Sequence, residues 1–359
     1  MQEVNFLDKN VEPEQGLHTL DGRAASHTEE RLEKLRHEAH KYLQAKQWHE
    51  ALTAFNELLQ DNQEDVDALL GLALALDRLG DYQKMYESTQ SAAQFDPSSA
   101  LALACQARAL QKLERISEAT IANDQALLLD TNLALAWFNR SGQQLLQDHP
   151  EEALRYAERA IELDPSDART WCNKALALLR LNRVYEALEV INQSLALDPD
   201  FLLALETKGE ILRRYARFEE VILTMDHALQ LAPDDISALN LLANALRITG
   251  QFDRLLEITQ RLMLLAHDSP LSWDFHLSAL RGTSRFEEAG EVVDHILEFD
   301  PTNVRYWMIK ADNLYRLQRY REAVSVSERA LEIDDEYPPA RRIHEKAMRM
   351  MYQQKKRKK

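Results

Sequence analysis

Any chemistry in this chain would have to come from a small set of side chains. His37 and His40 stand three residues apart, which would put two imidazoles on one helix face and within reach of a shared metal. No third ligand stands at a matching spacing, so the pair reads as solvated surface. Cys105 and Cys172 are the only cysteines. They offer neither a disulfide framework nor a metal-binding spacing, and each reads as a small buried or groove-lining residue, not a nucleophile. The chain has no glycine-rich phosphate loop, no Gly-x-Ser-x-Gly and no His-Glu-x-x-His. No acid–base pair stands out among its 59 carboxylates. The expectation is a protein that is not an enzyme and has no cofactor and no metal site.

The elements that would position these side chains are helices. Of 359 residues only 9 are Gly and 10 are Pro, too few for a β-rich fold with many tight turns. Leu, Ala, Glu, Gln and Arg dominate, and all favour helix. Hydrophobic residues make up 45%, enough for a substantial core. No apolar run reaches the roughly 18 residues of a membrane span. The start, Met1-Gln2-Glu3-Val4-Asn5, lacks the basic region and apolar stretch of a signal peptide, so the expected compartment is the cytoplasm. Net charge is −16, unevenly spread: residues 341–359 carry +8, residues 1–31 carry −4 and the remainder −20. So acidic a body repels nucleic acid. The tail Lys355–Lys359 reads as a solubilising end, or else as a localisation-like patch.

A period of 34 residues runs through the chain. Stepping by 34 from Gln63 gives Pro97, Thr131, Pro165, Pro199, Pro233, His267, Pro301 and Asp335. Twenty-eight residues before each marker stand Leu35, Leu69, Leu103, Trp137, Trp171, Leu205, Leu239, Trp273 and Trp307. Four residues on come Ala39, Ala73, Ala107, Ser141, Ala175, Gly209, Ala243, Leu277 and Ala311, nearly all small. A second small column includes Ala51, Ala119, Ala153, Ala187, Ala289 and Ala323. Within a unit, Trp171, Ala175 and Leu178 form one helical stripe and Ala187, Ile191 and Leu195 another. Small residues where helices cross let backbones approach, and one hairpin cannot bury both its faces, so neighbours must stack. The seventh and eighth units place Leu255, Leu262, Leu277 and Ile296 at positions that are mostly small elsewhere. This predicts a local change in pitch near residues 253–283.

These columns resemble the tetratricopeptide repeat family over residues 32–337, as nine units without insertions. The resemblance implies an all-α fold, a right-handed superhelical solenoid of helix-turn-helix repeats, that binds peptides or partner proteins in its inner groove. Residues 1–31 have no sustained periodicity and read as loosely ordered. Residues 338–354, with Ile343, Ala347 and Met350 at helical spacing, read as a capping helix, and 355–359 as a basic tail.

In the family the inner surface comes from the first helix of each unit, on the face away from the Trp and Ala columns. Mapped here, that face places Phe138, Asn139 and Leu145 in the fourth unit, and Asn173, Leu176, Leu179 and Arg180 in the fifth. Asn139 and Asn173 are one period apart, as amides that would hold an extended peptide backbone. Arg213, Arg247 and Arg281 recur at the same interval, with Arg214 one unit on from Arg180, as a basic stripe for carboxylates. The Lys/Asn/Asn/Lys/Arg clamp for a chaperone tail is missing in either possible frame. The expected function is a scaffold or adaptor that binds an extended, acidic and partly apolar segment. The alternative is a self-assembling structural protein whose terminus enters a neighbour's groove. Val4, Phe6 and Leu7 could supply such a terminus, or could occupy the groove in cis. No nucleic acid and no membrane span are expected.

Overall fold

The computed structural model describes residues 18–357, with side chains over residues 29–356. Among the described residues the backbone forms nineteen α-helices and no strand. The chain divides into two compact units, Met1–Pro165 and Ser166–Lys359. The first holds α1 (His18–Gln44), α2 (Trp48–Asp61), α3 (Val66–Leu79), α4 (Tyr82–Phe95), α5 (Ala100–Lys112), α6 (Ile116–Leu129), α7 (Ala134–Leu146) and α8 (Pro150–Leu163). The second holds α9 (Ala168–Arg180), α10 (Val184–Leu197), α11 (Leu202–Arg214), α12 (Phe218–Leu231), α13 (Ile236–Thr249) and α14 (Phe252–Leu265). It continues with α15 (Pro270–Gly282), α16 (Phe286–Phe299), α17 (Val304–Arg316), α18 (Tyr320–Ile333) and α19 (Pro338–Arg357). Helix α1 begins at His18, well ahead of residue 32, where the columns place the first unit. Glu29, Glu30 and Arg31 favour helix, and no Gly or Pro interrupts the chain after Gly22 until α2 is complete. The proposed motif at Val4, Phe6 and Leu7 lies outside the described residues.

Each period is one antiparallel helix pair. In the first unit α1, α3, α5 and α7 lie side by side, and in the second α9, α11, α13 and α15 do the same. The Ala columns explain the close approach: Ala39, Ala73, Ala107, Ala175, Ala243 and Ala311 are fully buried, as are Ala51, Ala119, Ala153, Ala187, Ala289 and Ala323. The Trp column has a polar role too. The indole N–H of Trp137, Trp273 and Trp307 donates to the carbonyl of Thr131, His267 and Pro301, at 2.9, 2.7 and 2.8 Å. Each bond ties the start of a helix pair to the turn that precedes it.

The turn inside each pair has its own period. Lys46, Gly80, Glu114, Asp148, Asn182, Ala216, Gly250, Ser284 and Gln318 all have positive φ, one per 34 residues. Only two are glycine, so seven L residues accept a left-handed conformation whose cost is roughly 1–2 kcal/mol. Ala216, at φ 55°, has no polar side chain to offset that cost. Ala216→Gly is therefore expected to stabilise the protein by about 1 kcal/mol, and Gly250→Ala to destabilise it by a similar amount. Urea midpoints measure both.

Second helices start with an ion pair that recurs. Arg115, Arg183, Arg217, Arg285 and Arg319 each occupy the N-cap and grip the glutamate three residues on, such as Glu118 with bonds of 2.8 and 2.7 Å. The glutamate in turn faces the positive end of its helix. At the far end, Ala340, Ile343 and Ala347 of α19 are buried, with Met348 and Met351 beside Leu314, Ala323 and Val324. Helix α19 runs to Arg357, into the basic segment.

In the eighth period α15 and α16 are the most loosely packed of the helix pairs that share a period. An open cleft of about 500 Å³ lies there, lined by Trp273, His295, Phe299 and Tyr306. Leu255, Leu262 and Leu277 are buried in place of the alanines used elsewhere.

Candidate functional site

The first-helix face of residues 166–359 is the candidate site. On α11, Leu203, Glu206, Glu210 and Arg213 follow one another at i, i+3, i+7 and i+10 and so share a face. On α15 the corresponding run is Leu271, Asp274, Ser278 and Arg281. On α13 the corresponding run is Ser237, Asn240, Asn244 and Arg247. Three bands therefore cross α11, α13 and α15. Leu203 and Leu271, 44% and 48% exposed, put apolar side chains at the starts of α11 and α15, with Ser237 at the same position of α13 between them. Carboxylates and amides fill the middle, and arginines stand at the helix ends.

The electrostatics alternate along the bands. Arg213 donates twice to Glu210, both bonds at 2.7 Å, and Arg214 reaches the same carboxylate at 3.2 Å. Burial alone would raise Glu210, but these guanidiniums outweigh it and hold the carboxyl below its usual range. Arg214 also donates to the Leu179 carbonyl at 3.1 Å. Arg281 donates to Asp312 of α17 at 2.5 Å, and Arg316 to the same carboxylate at 3.0 Å. Arg305 and the Tyr306 hydroxyl both bond Asp274. Arg247 differs: its guanidinium lies 5.9 Å from the Phe275 ring centre and donates to Asn244 at 3.3 Å. It has no carboxylate partner among the described residues. Beside it, Oδ1 of Asn240 is buried and accepts no hydrogen bond.

Glu206 sits at the start of this face against Asp235, the residue that caps α13 by accepting from Ala238 N–H at 2.7 Å. Desolvation, with the neighbouring Asp235 carboxyl adding to it, pushes Glu206 up to about 7. The fold thus favours the protonated form. The stability contribution is fully present below the unfolded carboxyl range and declines as pH rises from about 4.5 towards 7. Glu206→Gln is expected to flatten that decline and to leave stability at pH 8 equal to or above the wild type. Guanidinium midpoints between pH 4.5 and 8 provide the measurement, and an unchanged slope would count against the assignment.

Several residues expected to line a groove lie elsewhere. Phe138, Asn139, Leu145 and Leu179 are buried, which corrects their assignment to an open surface. Adjacent first helices pack so closely that these positions face the seam between helices. Arg108 lies over the Phe138 ring at 4.9 Å while bonding Asp77 of α3. The Asn139 amide donates to the Ala104 carbonyl at 2.8 Å and to Asn123 at 3.1 Å, and Asn123 donates to the Ala136 carbonyl at 3.0 Å. Asn139 therefore ties α5, α6 and α7 together through its amide nitrogen, while its Oδ1 is buried without a partner. Asn173 and Leu176 are half-buried on α9, and Arg180 is exposed at its end. The arginine stripe is present, but Arg213, Arg214 and Arg281 are engaged by the chain's own carboxylates.

The sequence reading missed Asn240 and Asn244, although their i, i+4 spacing on a first helix was legible. Both cysteines are buried, and desolvation pushes the Cys172 thiol up to about 12, against formation of a thiolate there. His40 bonds Asp67 at 2.9 Å and meets the Phe55 ring edge-on. No helix among the described residues is long and apolar enough to cross a membrane.

Residues 38–100 and 145–200 match a family model described as tetratricopeptide repeat, and residues 304–337 match a second model of the same description. No match was found among the curated proteins. Among solved structures, one from a functional characterisation of Pseudomonas aeruginosa pilF is 23% identical. That likeness spans 59% of this chain and 97% of that one, with a TM-score of 0.51. The human IFIT1 dimer with m7Gppp-AAAA is 13% identical over 84% of this chain and 72% of that one, with a TM-score of 0.52. Both likenesses concern the fold.

Proposed function

We propose, since this chain is a tetratricopeptide-repeat protein, that it serves as a non-catalytic scaffold for an extended, acidic and partly apolar segment of a partner protein. The segment lies across the first helices α11, α13 and α15. The observation that carries this reading is the α13 constellation: a buried Asn240 oxygen without a partner, Asn244 beside it, and an Arg247 guanidinium not held by a carboxylate. An amide offers both a donor and an acceptor to a peptide backbone, and a guanidinium takes a carboxylate in a paired bond. The exposed Leu203 and Leu271 give the segment's apolar side chains a place to rest. Asn173, Leu176 and Arg180 on α9 would extend the same surface. Two free, buried cysteines fit a reducing compartment, the cytoplasm.

The test compares the wild type with the triple variant Asn240→Ala/Asn244→Ala/Arg247→Gln. Each is used to capture partners from lysate, and a peptide from the recovered protein is then titrated by calorimetry. The variant is expected to bind ten-fold or more weakly. Equal affinity, or a segment rich in Lys and Arg, would end the proposal.

A further inference from the structure

A second cleft, of about 640 Å³, opens between the second helices α16 and α18 with α17 as its floor. Two breaks in the period create it. Along the chain the same position of the second helix holds Leu52, Tyr86, Thr120, Leu154, Leu188, Ile222, Leu256 and Val324, all at least half-buried. In α16 that residue is Gly290, where an added Cβ would meet nothing. A side chain that helps fill the seam everywhere else is missing here.

The floor is changed as well. The position of Asn313 is held by Ala75, Ala109, Ala177, Ala245 and Ala279 in five other periods, and by Lys41, Gln143 and Ile211 in the remaining three. Asn313 is only 1% exposed, and neither its Oδ1 nor its Nδ2 has a hydrogen-bond partner. An unpaired buried polar atom costs about 1–3 kcal/mol, and the five alanines of the column show that a helix pair closes here without an amide. Around it, Lys310 pairs with Asp294, and Arg319 donates to Glu322 at 2.7 Å. Glu287 and Glu291 make no ion pair among the described residues, although Glu287 also acts on Arg319 through space. The acids Glu287, Glu291, Asp294 and Glu322 outnumber Lys310 and Arg319, so the rim stays net negative.

We propose that this cleft is a further binding site, one that takes a peptide unit and a basic side chain from an extended segment of a partner protein. A peptide group presents an N–H and a C=O, the complement of Asn313 Oδ1 and Nδ2. An arginine or lysine beside it meets Glu287 and Glu291, and its stem rests on Phe286 and Leu314. The ligand charge is opposite to that taken on α13, and the two sites lie on different helix layers.

The probes are acetyl-Ala-Arg-Ala-amide and acetyl-Ala-Glu-Ala-amide, added to the full chain. The readout is the side-chain amide resonance of Asn313, assigned by its loss in Asn313→Ala. The arginine peptide is expected to shift this resonance in a saturable way, and the glutamate peptide to bind at least five-fold more weakly. Gly290→Leu restores the residue type of the column, with its Cβ in open space, and projects a side chain into the cleft. It should fold with an undiminished melting temperature and abolish the shift. The proposal is overturned by an amide that reports contact with water alone and responds to neither peptide. Equal response to both peptides, or a shift that survives in Gly290→Leu, would also overturn it.

Discussion

Phe55→Ala is expected to cost about 3–5 kcal/mol of folding stability, seen as a lower denaturant midpoint. Phe55 is fully buried in α2 among Ala39, Ala51, Leu58 and Ala68, and meets His40 edge-on at 5.3 Å between ring centres. The ring is seated because Gly71 on α3 has no side chain: a Cβ there would lie 2.2 Å from Cζ of Phe55. Gly71→Ala alone should therefore overpack the seam and cost about 1–3 kcal/mol. Combined, the two changes should cost less than their sum, since the new methyl occupies space the ring has left. Strict additivity in the double-mutant cycle would refute the contact. Hydrogen exchange should rise first in α1, α2 and α3, because stability in a repeat stack is largely a sum of neighbour terms.

The three arginines of the 34-residue ladder should separate into two kinds. Arg281→Gln is expected to lower stability by about 1–2 kcal/mol, since Arg281 and Asp312 are only 30% and 19% exposed and link α15 to α17 through a charge-assisted bond. Arg213→Gln should do less, because Arg213 and Glu210 stand three residues apart on one helix and their bond ties no second helix. Arg247→Gln should leave the melting temperature nearly unchanged and weaken partner binding. Its guanidinium stacks on Phe275 and donates only to Asn244, so solvent or a ligand can exchange freely with it. The measurement is a melt and a binding isotherm for each single variant. A large melting loss for Arg247→Gln with intact binding would make it a helix-end residue like the others, where cations gain roughly 0.3–1 kcal/mol from the dipole.

The burial of Asn139 shows where sequence reasoning stopped. Asn139 and Asn173 occupy one column, and a column says which helix face a residue shares but not how close the next helix comes. Ala104, Ala107 and Ala109 on α5 are fully buried, which lets α7 approach until Asn139 reaches the Ala104 carbonyl. Asn240 and Asn244 are half-buried, with the Asn240 Oδ1 enclosed. The Arg115–Glu118 type of cap was also legible, as an i, i+3 pair recurring in the period, yet only its position at the N-cap gives it a purpose.

By itself, the sequence determined the repeat length, the helix pairs, the turns and the alternation of small and large columns. Those depend on local propensity and on a strict period, and both are written along the chain. Tertiary structure alone decided which polar residues stay open. Gly290 and Asn313 look like two unrelated departures from their columns, 23 residues apart. Only when α16 and α18 close over α17 does the missing side chain become a cleft and the buried amide its floor. Whether a polar atom finds a partner depends on neighbours that the chain brings together from several helices, and no single window of sequence contains them.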